Sequence, residues 1–176
     1  MSDRSSNETW EWIKALGLAV VLALGIHQFV FAQFLVDGES MMPTMEHRER
    51  LIVNKLIYRI HKPEYGDIIV FKYPADKSKD FIKRVIGLPG DTVEVKGGKV
   101  YRNGQELKEP YLGEPTNGTW GPEKVPEGKI FVMGDNRNNS KDSRDRTVGF
   151  IPYDLVVGRA DLVFWPLNKF ELFPFK

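Results

Sequence analysis

Asp91-Thr92-Val93-Glu94-Val95-Lys96-Gly97-Gly98-Lys99-Val100-Tyr101-Arg102-Asn103-Gly104 reads as two strands and two tight turns. Val93 and Val95 alternate with Thr92, Glu94 and Lys96, and the alternation resumes over Lys99, Val100, Tyr101 and Arg102. That is the period of a strand with one buried face. Gly97-Gly98 suits a two-residue hairpin turn, and Asn103-Gly104 marks a second tight turn directly after it. A chain that doubles back this sharply pairs its strands antiparallel.

Outward from this hairpin the same character continues. Leu51-Ile52-Val53, Asp67-Ile68-Ile69-Val70-Phe71, Phe81-Ile82-Lys83-Arg84-Val85-Ile86 and Lys129-Ile130-Phe131-Val132-Met133 are short β-favouring runs, and residues 158–165 read as a late strand. No long helical periodicity follows residue 62. Residues 103–128 read as a small excursion, since 108–126 are rich in Gly, Pro, Asn and Thr. The expected class is mainly β: an antiparallel sheet or partly closed β-barrel, tethered by one N-terminal helix.

The tether is residues 15–36, ALGLAVVLALGIHQFVFAQFLV, which carry no formal charge with His27 neutral and lie between Lys14 and Asp37. At ~1.5 Å per residue this run covers roughly 30 Å, a bilayer core. A buried core helix rarely runs so long uncharged. A cleaved leader has a shorter apolar run and lacks the acids Asp3, Glu8 and Glu11 found here beside Arg4 and Lys14. The expected organisation is a short segment over 1–14, a transmembrane helix over 15–36 and a β-rich domain over 37–176. Trp10 and Trp12 suit the membrane interface. Lys and Arg fall on both sides of the run, so charge alone leaves the orientation open.

Composition removes several classes. Lys plus Arg number 25 and Asp plus Glu 24 in 176 residues, so no charge excess points to nucleic acid. There are no cysteines, which excludes disulfides, thiolate metal sites and a cysteine nucleophile. His27, His47 and His61 are the three histidines, with no zinc-binding spacing. No metal and no cofactor is expected.

Three stretches carry chemistry. Gly38-Glu39-Ser40-Met41-Met42-Pro43-Thr44 sets Ser40 just beyond the apolar run, with Gly38 allowing close backbone approach and Pro43 holding Met42 extended. In Phe81-Ile82-Lys83-Arg84-Val85-Ile86, alternation puts Lys83 on one face with Phe81 and Val85, and Arg84 on the other. An ammonium among apolar neighbours loses hydration and its pKa falls, and a neutral lysine takes a proton from a serine hydroxyl. Met133-Gly134-Asp135-Asn136-Arg137-Asn138-Asn139-Ser140-Lys141-Asp142-Ser143-Arg144 is a loop dense in side-chain-to-backbone bonding groups, where Asp135, Asp142, Arg137 and Arg144 have partners for ion pairs.

In order, SMMPT (40–44), GDIIVFKYP (66–74), FIKRVIGLPGD (81–91) and MGDNRNNSKDSR (133–144) resemble the boxes of bacterial type I signal peptidase, in its compact Gram-positive-like form. The resemblance implies Ser40 as nucleophile and Lys83 as general base. It implies Ser140 as the partner of the lysine ammonium, Asp142 and Arg144 as a supporting ion pair, and Asp135 as a partner for Arg84. Gly38 stands where Gram-negative members carry a serine hydroxyl, so the oxyanion hole falls to backbone N–H groups, that of Ser40 first, with Gly38 contributing. On this basis Gly38→Ser is expected to keep activity. None of the three histidines lies in a recognisable motif, which favours lysine over a histidine-based triad.

The implied substrates are signal-peptide-bearing preproteins, held extended by strand pairing. Gly38 to Met41 and the run Asp67, Ile68, Ile69, Val70 and Phe71 are the candidate edges, and Met41 the candidate border of the pocket for the residue before the cut. The resemblance also implies small residues at the first and third positions before that cut. It places the protein in the cell membrane as a single-pass chain in contact with lipid, N-terminus cytoplasmic and catalytic domain outside. A self-cleaving repressor would need a DNA-binding helix pair where the apolar run stands. An inactive adaptor would have lost Ser40 or Lys83.

Overall fold

The computed structural model describes residues 3–173, without the side chains of residues 3–9, 23, 24 and 26–29. The His27 side chain and the last three residues of the expected β-rich domain lie outside the described residues. Helix α1 spans Asp3–Val30, followed by β1 (Phe31–Leu35), β2 (Arg50–Asn54), the short α2 (Ile57–Ile60), β3 (Ile68–Lys72) and β4 (Asp80–Gly87). Then come β5 (Thr92–Lys96), β6 (Lys99–Arg102), β7 (Gln105–Glu106), β8 (Trp120–Lys124) and β9 (Lys129–Met133). The chain finishes with β10 (Ile151–Pro152), β11 (Val156–Trp165) and β12 (Glu171–Leu172).

The helix departs from expectation at both ends. It takes in most of the segment placed before residue 15, and it stops at Val30 rather than Val36. The reason for the stop is pairing. Val30 carbonyl accepts from Lys55 N–H, and the aromatic and branched residues from Phe31 onward lie against β2, Phe31 opposite Asn54 through Leu35 opposite Arg50. Among the described residues no helix is long and apolar enough to cross a membrane.

All strand pairs are antiparallel. The larger sheet runs β1-β2-β11-β3-β4-β9-β10, with β12 beside β11; β1 and β10 are its two ends, and no barrel closes among the described residues. The smaller sheet runs β7-β6-β5-β8. The hairpin that opens the sequence reading therefore belongs to this second sheet, and the small excursion expected over 103–128 supplies two of its strands. Gly97 and Gly98 have φ of 57° and 82°, and Asn103 and Gly104 have 54° and 78°. These paired positive angles are what two-residue hairpin turns require.

Strand alternation divides the core. Ile68 and Val70 of β3 face one cluster with Val36, Met41, Met45, Leu51, Val53 and Val163. Ile69 and Phe71 of the same strand face another with Val85, Ile130, Val132 and Ile151. A third cluster, with Ile86, Phe131 and Met133 against Val93, Val95, Val100 and Val125, joins the two sheets. Burying a branched side chain of this size contributes about 1.5–3 kcal/mol, so this third cluster is what seats the second sheet.

Candidate active site

Ser40 lies in a turn between β1 and β2. Met41 and Met45, exposed by only 1% and 0%, root that turn in the first core cluster. From the other side Asn136 grips it: its N–H donates to the Ser40 carbonyl (3.0 Å) and its Nδ2 to the Glu39 carbonyl (3.1 Å). Lys83 comes from β4 and is 4% exposed. Its Nζ donates to Ser40 Oγ at 2.6 Å and to the Ile82 carbonyl at 2.8 Å, and it lies 5.4 Å from the Phe81 ring centre. Burial lowers its pKa from 10.5 to about 8, against the pull of Asp142 and Asp135, which favour the ammonium.

The loop behind the pair is tied by two arginine–aspartate forks. Arg84 Nε and Nη2 donate to Asp135 Oδ1 (2.9 Å) and Oδ2 (2.6 Å), and Thr44 Oγ1 donates to the same Oδ2 at 2.5 Å. Arg144 Nε and Nη2 donate to Asp142 Oδ1 and Oδ2, both at 2.8 Å, while the Gly134 N–H donates to Asp142 Oδ2 at 3.0 Å. Such planar forks fix orientation as well as charge. Ser140 is brought to the site but not to the amine. Its Oγ is buried without a hydrogen-bond partner among the described residues, and Lys83 Nζ donates instead to Ser40 Oγ and the Ile82 carbonyl.

Gly38 departs from expectation in two ways. Its N–H donates to His47 Nδ1 at 3.1 Å, so that donor is already engaged. Its φ is +105°, a conformation that side-chain-bearing residues rarely adopt. Ser40 N–H, in contrast, makes no hydrogen bond among the described residues.

A groove of about 580 Å³ runs beside the pair, lined by Phe34, Val36, Gly38, Leu51, Val70 and Ile82 among others, with Lys79, Asp80, Asn139 and Lys141 at its rim. The expected substrate strand needs correction here. β3 is central: residues 68–72 pair with β4 on one side, and residues 69–71 pair with β11 on the other. Its backbone has no edge to offer. Of its five expected residues only Val70 reaches the groove. Asp67 and Ile68 line a different cavity, and Ile69 and Phe71 are core. Met41 is core as well and does not line the groove. The available edge belongs to β4, whose pairing with β9 begins only at Arg84, so among the described residues none pairs as a strand with 80–83 on that side. The sequence reading missed Asp80 and Ile82 for this reason. It also missed Gly134, whose lack of a side chain matters: a Cβ there would overlap Ser140 Oγ and the Ser40 carbonyl oxygen and sit 2.7 Å from Ser140 Cβ. Its place in the MGDNR run was the one available signal.

A serine facing a buried amine, beside a groove with an unpaired strand edge, has the groups that a serine hydrolase acting on an extended chain would need. The comparisons with known proteins say which. The profile of the family described as signal peptidase, peptidase S26, matches residues 9–165. Signal peptidase I of Leptolyngbya laminosa is 48% identical, over 94% of this chain and 84% of the relative. Signal peptidase I of Bacillus amyloliquefaciens is 47% identical, over 94% and 90%. Signal peptidase I T of Bacillus subtilis is 44% identical, over the same shares. The crystal structure of a signal peptidase I from Enterococcus faecalis superposes with a TM-score of 0.50 at 37% identity, covering 57% of this chain and 97% of that one. The chain belongs to the signal peptidase family, peptidase S26, and is a serine hydrolase that removes signal peptides.

Proposed function

We propose that this chain is a membrane-bound endopeptidase that cuts signal peptides from preproteins with a Ser40–Lys83 dyad. The observation that carries the reading is the 2.6 Å contact between Lys83 Nζ and Ser40 Oγ, at an amine whose burial brings its pKa to about 8. When Lys83 is neutral the contact reverses, and the Ser40 O–H donates to Nζ. The amine takes the proton as Oγ attacks the scissile carbonyl, and the ammonium then gives it to the departing amine of the mature protein. Water hydrolyses the Ser40 ester, with Lys83 again as base. The Ser40 N–H, which makes no hydrogen bond among the described residues, is available to the developing oxyanion. Ser140 Oγ, unpartnered beside Gly134, is available to the ammonium when it forms. Arg84, Asp135, Asp142 and Arg144 hold the loop that carries this serine.

The substrate lies extended between residues 38–40 and the open edge of β4, with Val36, Leu51, Val70 and Ile82 forming the apolar floor. Support for membrane attachment is the apolar surface with no protein against it. Trp12, Leu16, Leu18 and Val21 of α1 are more than half exposed, as are Leu35, Trp165 and Leu172 of the sheet and Leu167 in the turn between β11 and β12. The reading takes residues 12–30, which rise roughly 28 Å as helix against the ~30 Å of a bilayer core, as the anchor, although the described part of α1 is not by itself apolar enough to cross. In this reading the anchor is shifted toward the N-terminus of the run first assigned to it. The N-terminus is then cytoplasmic and the catalytic domain outside, at the lipid surface where the signal peptide's apolar part stays buried.

The test is cleavage of a preprotein by the parent chain, Ser40→Ala and Lys83→Ala across pH. Both variants are expected to be folded and inactive. In the parent, kcat/KM is expected to fall about tenfold per pH unit below about 8, as Lys83 becomes protonated. Activity surviving in either variant sinks the dyad.

A further inference from the structure

The loop that backs the dyad, residues 134–144, contains two aspartates and three arginines if Arg84 from β4 is counted with it. Both aspartates are taken, Asp135 by Arg84 and Asp142 by Arg144. Arg137 is left without an acid from its own loop, although its side chain is fully buried. An unpaired guanidinium there would be strongly destabilising. Its counter-charge comes from the segment between β7 and β8 of the second sheet. Glu109, whose side chain is 6% exposed, accepts from Arg137 Nη1 (2.8 Å) and Nη2 (2.5 Å).

This pair is wired to both sides. Arg137 Nε donates to the Gly134 carbonyl at 3.0 Å. Gly134 is the residue against which Ser140 Oγ and the Ser40 carbonyl pack. On the other side, Tyr111 OH donates to Glu109 Oε1 at 2.8 Å, and the Tyr111 ring covers the Arg84 guanidinium with 4.0 Å to its centre. Asn138 adds a parallel tie, accepting from Asn117 N–H and donating to the Pro115 carbonyl. One strap of the second sheet thus covers two of the arginines that hold the catalytic loop.

We propose that Glu109 and Tyr111 are positioning residues of the catalytic centre, acting through Arg137 and Arg84 to set Gly134, and with it Ser40 and Ser140. The proposal rests on the dyad reading. It also assigns the second sheet a task in the reaction. With Glu109 neutralised, the Arg137 cation competes for Asp135, which now serves Arg84 and Thr44. The charged groups that bear on Lys83 are Asp142 and Asp135 from the loop, with Glu39, Asp80, Lys79 and Lys141 around the groove. Added positive charge on the loop side disfavours the Lys83 ammonium, so the acid limb of activity moves to lower pH.

The experiment compares E109Q, Y111F, R137M and the double variant E109Q/R137M with the parent, as full-length chains in detergent. The readouts are kcat and KM for a fluorogenic signal-peptide substrate from about pH 6 to 10, with S40A as control. E109Q is expected to lower kcat roughly 10- to 100-fold, the scale of an ångström-size misplacement at reacting atoms, with KM nearly unchanged. Its acid limb shifts down, and E109Q adds nothing further in the R137M background, because the two act as one unit. Y111F gives a smaller loss in the same direction, and E109D, which keeps the charge, recovers part of the rate. Parental kcat and pH profile in E109Q overturn the proposal, as do losses from E109Q and R137M that simply multiply. Should E109Q fail to fold, Y111F and Thr116→Val, which removes the hydroxyl that accepts from Arg137 Nη1 at 3.3 Å, decide, and parental kcat in both overturns it. Cleavage by S40A refutes the dyad itself; parental E109Q beside inactive S40A refutes the Glu109 role alone.

Discussion

Lys83 is held at a cost to the fold, and replacing it by methionine makes that cost measurable. Burial takes its pKa from 10.5 to about 8. At about 1.4 kcal/mol for each tenfold, this amounts to roughly 3 kcal/mol of stability. Between about pH 8 and 10.5 the unfolded chain binds a proton at this lysine and the native chain does not, so native stability rises with pH across that window. Below about pH 8 both states are protonated and the full penalty is present. A methionine side chain at this position never carries that penalty. It does lose the bonds to Ser40 Oγ and the Ile82 carbonyl, worth about 1 kcal/mol each and independent of pH. Lys83→Met is therefore expected to be more stable than the parent by about 1–2 kcal/mol near pH 7 and less stable by a similar amount near pH 10.5. The assay is urea unfolding followed by tryptophan fluorescence at several pH values, taking the difference between the two proteins so that other titrating groups cancel. A difference that stays flat with pH, or a parent that loses ground to the variant as pH rises, would refute the depressed pKa and with it the neutral-base mechanism.

Gly38→Ser is expected to lose activity and about 1–2 kcal/mol of stability, because its φ of +105° suits glycine. This reverses the expectation from the family pattern; parental kcat with an unchanged urea midpoint would show that the turn relaxes without strain. Gly134→Ala is expected to fold but to lose about 100-fold or more in kcat, since the new methyl overlaps Ser140 and the Ser40 carbonyl; steady-state kinetics with circular dichroism as the folding control checks it.

The second sheet has more to do than its sequence suggests. Residues 108–126 look like filler, yet they carry Glu109, Tyr111 and Thr116, which close over the arginines of the catalytic loop. Nothing in the spacing of Glu109 links it to Arg137, 28 residues on, because a buried ion pair leaves no periodic trace. The same limit explains the misplaced substrate strand. GDIIVFKYP is β-favouring and apolar, but such a run is apolar because both its faces are buried, and that is the mark of a central strand as much as of an edge.

The turns of the hairpin at residues 91–104 were legible because paired positive φ angles demand Gly or Asn locally, whatever the rest of the chain does. For the same reason strand alternation by itself separated Lys83 from Arg84, and the order of the four boxes brought out Ser40. Local chemistry and period-two geometry were enough for the turns and for the face that carries Lys83, whereas Ser40 came from the resemblance of the four boxes. Tertiary structure alone decided which sheet the hairpin joins, which strand keeps a free edge, where the apolar run stops being helix, and which acid neutralises Arg137. Each of these depends on a backbone or charge partner far away in sequence: β11 closes off β3, β2 captures Phe31–Leu35, and Glu109 reaches Arg137. Hydrogen-bond and charge satisfaction in a buried interior is a property of the packed molecule, and no single stretch carries it.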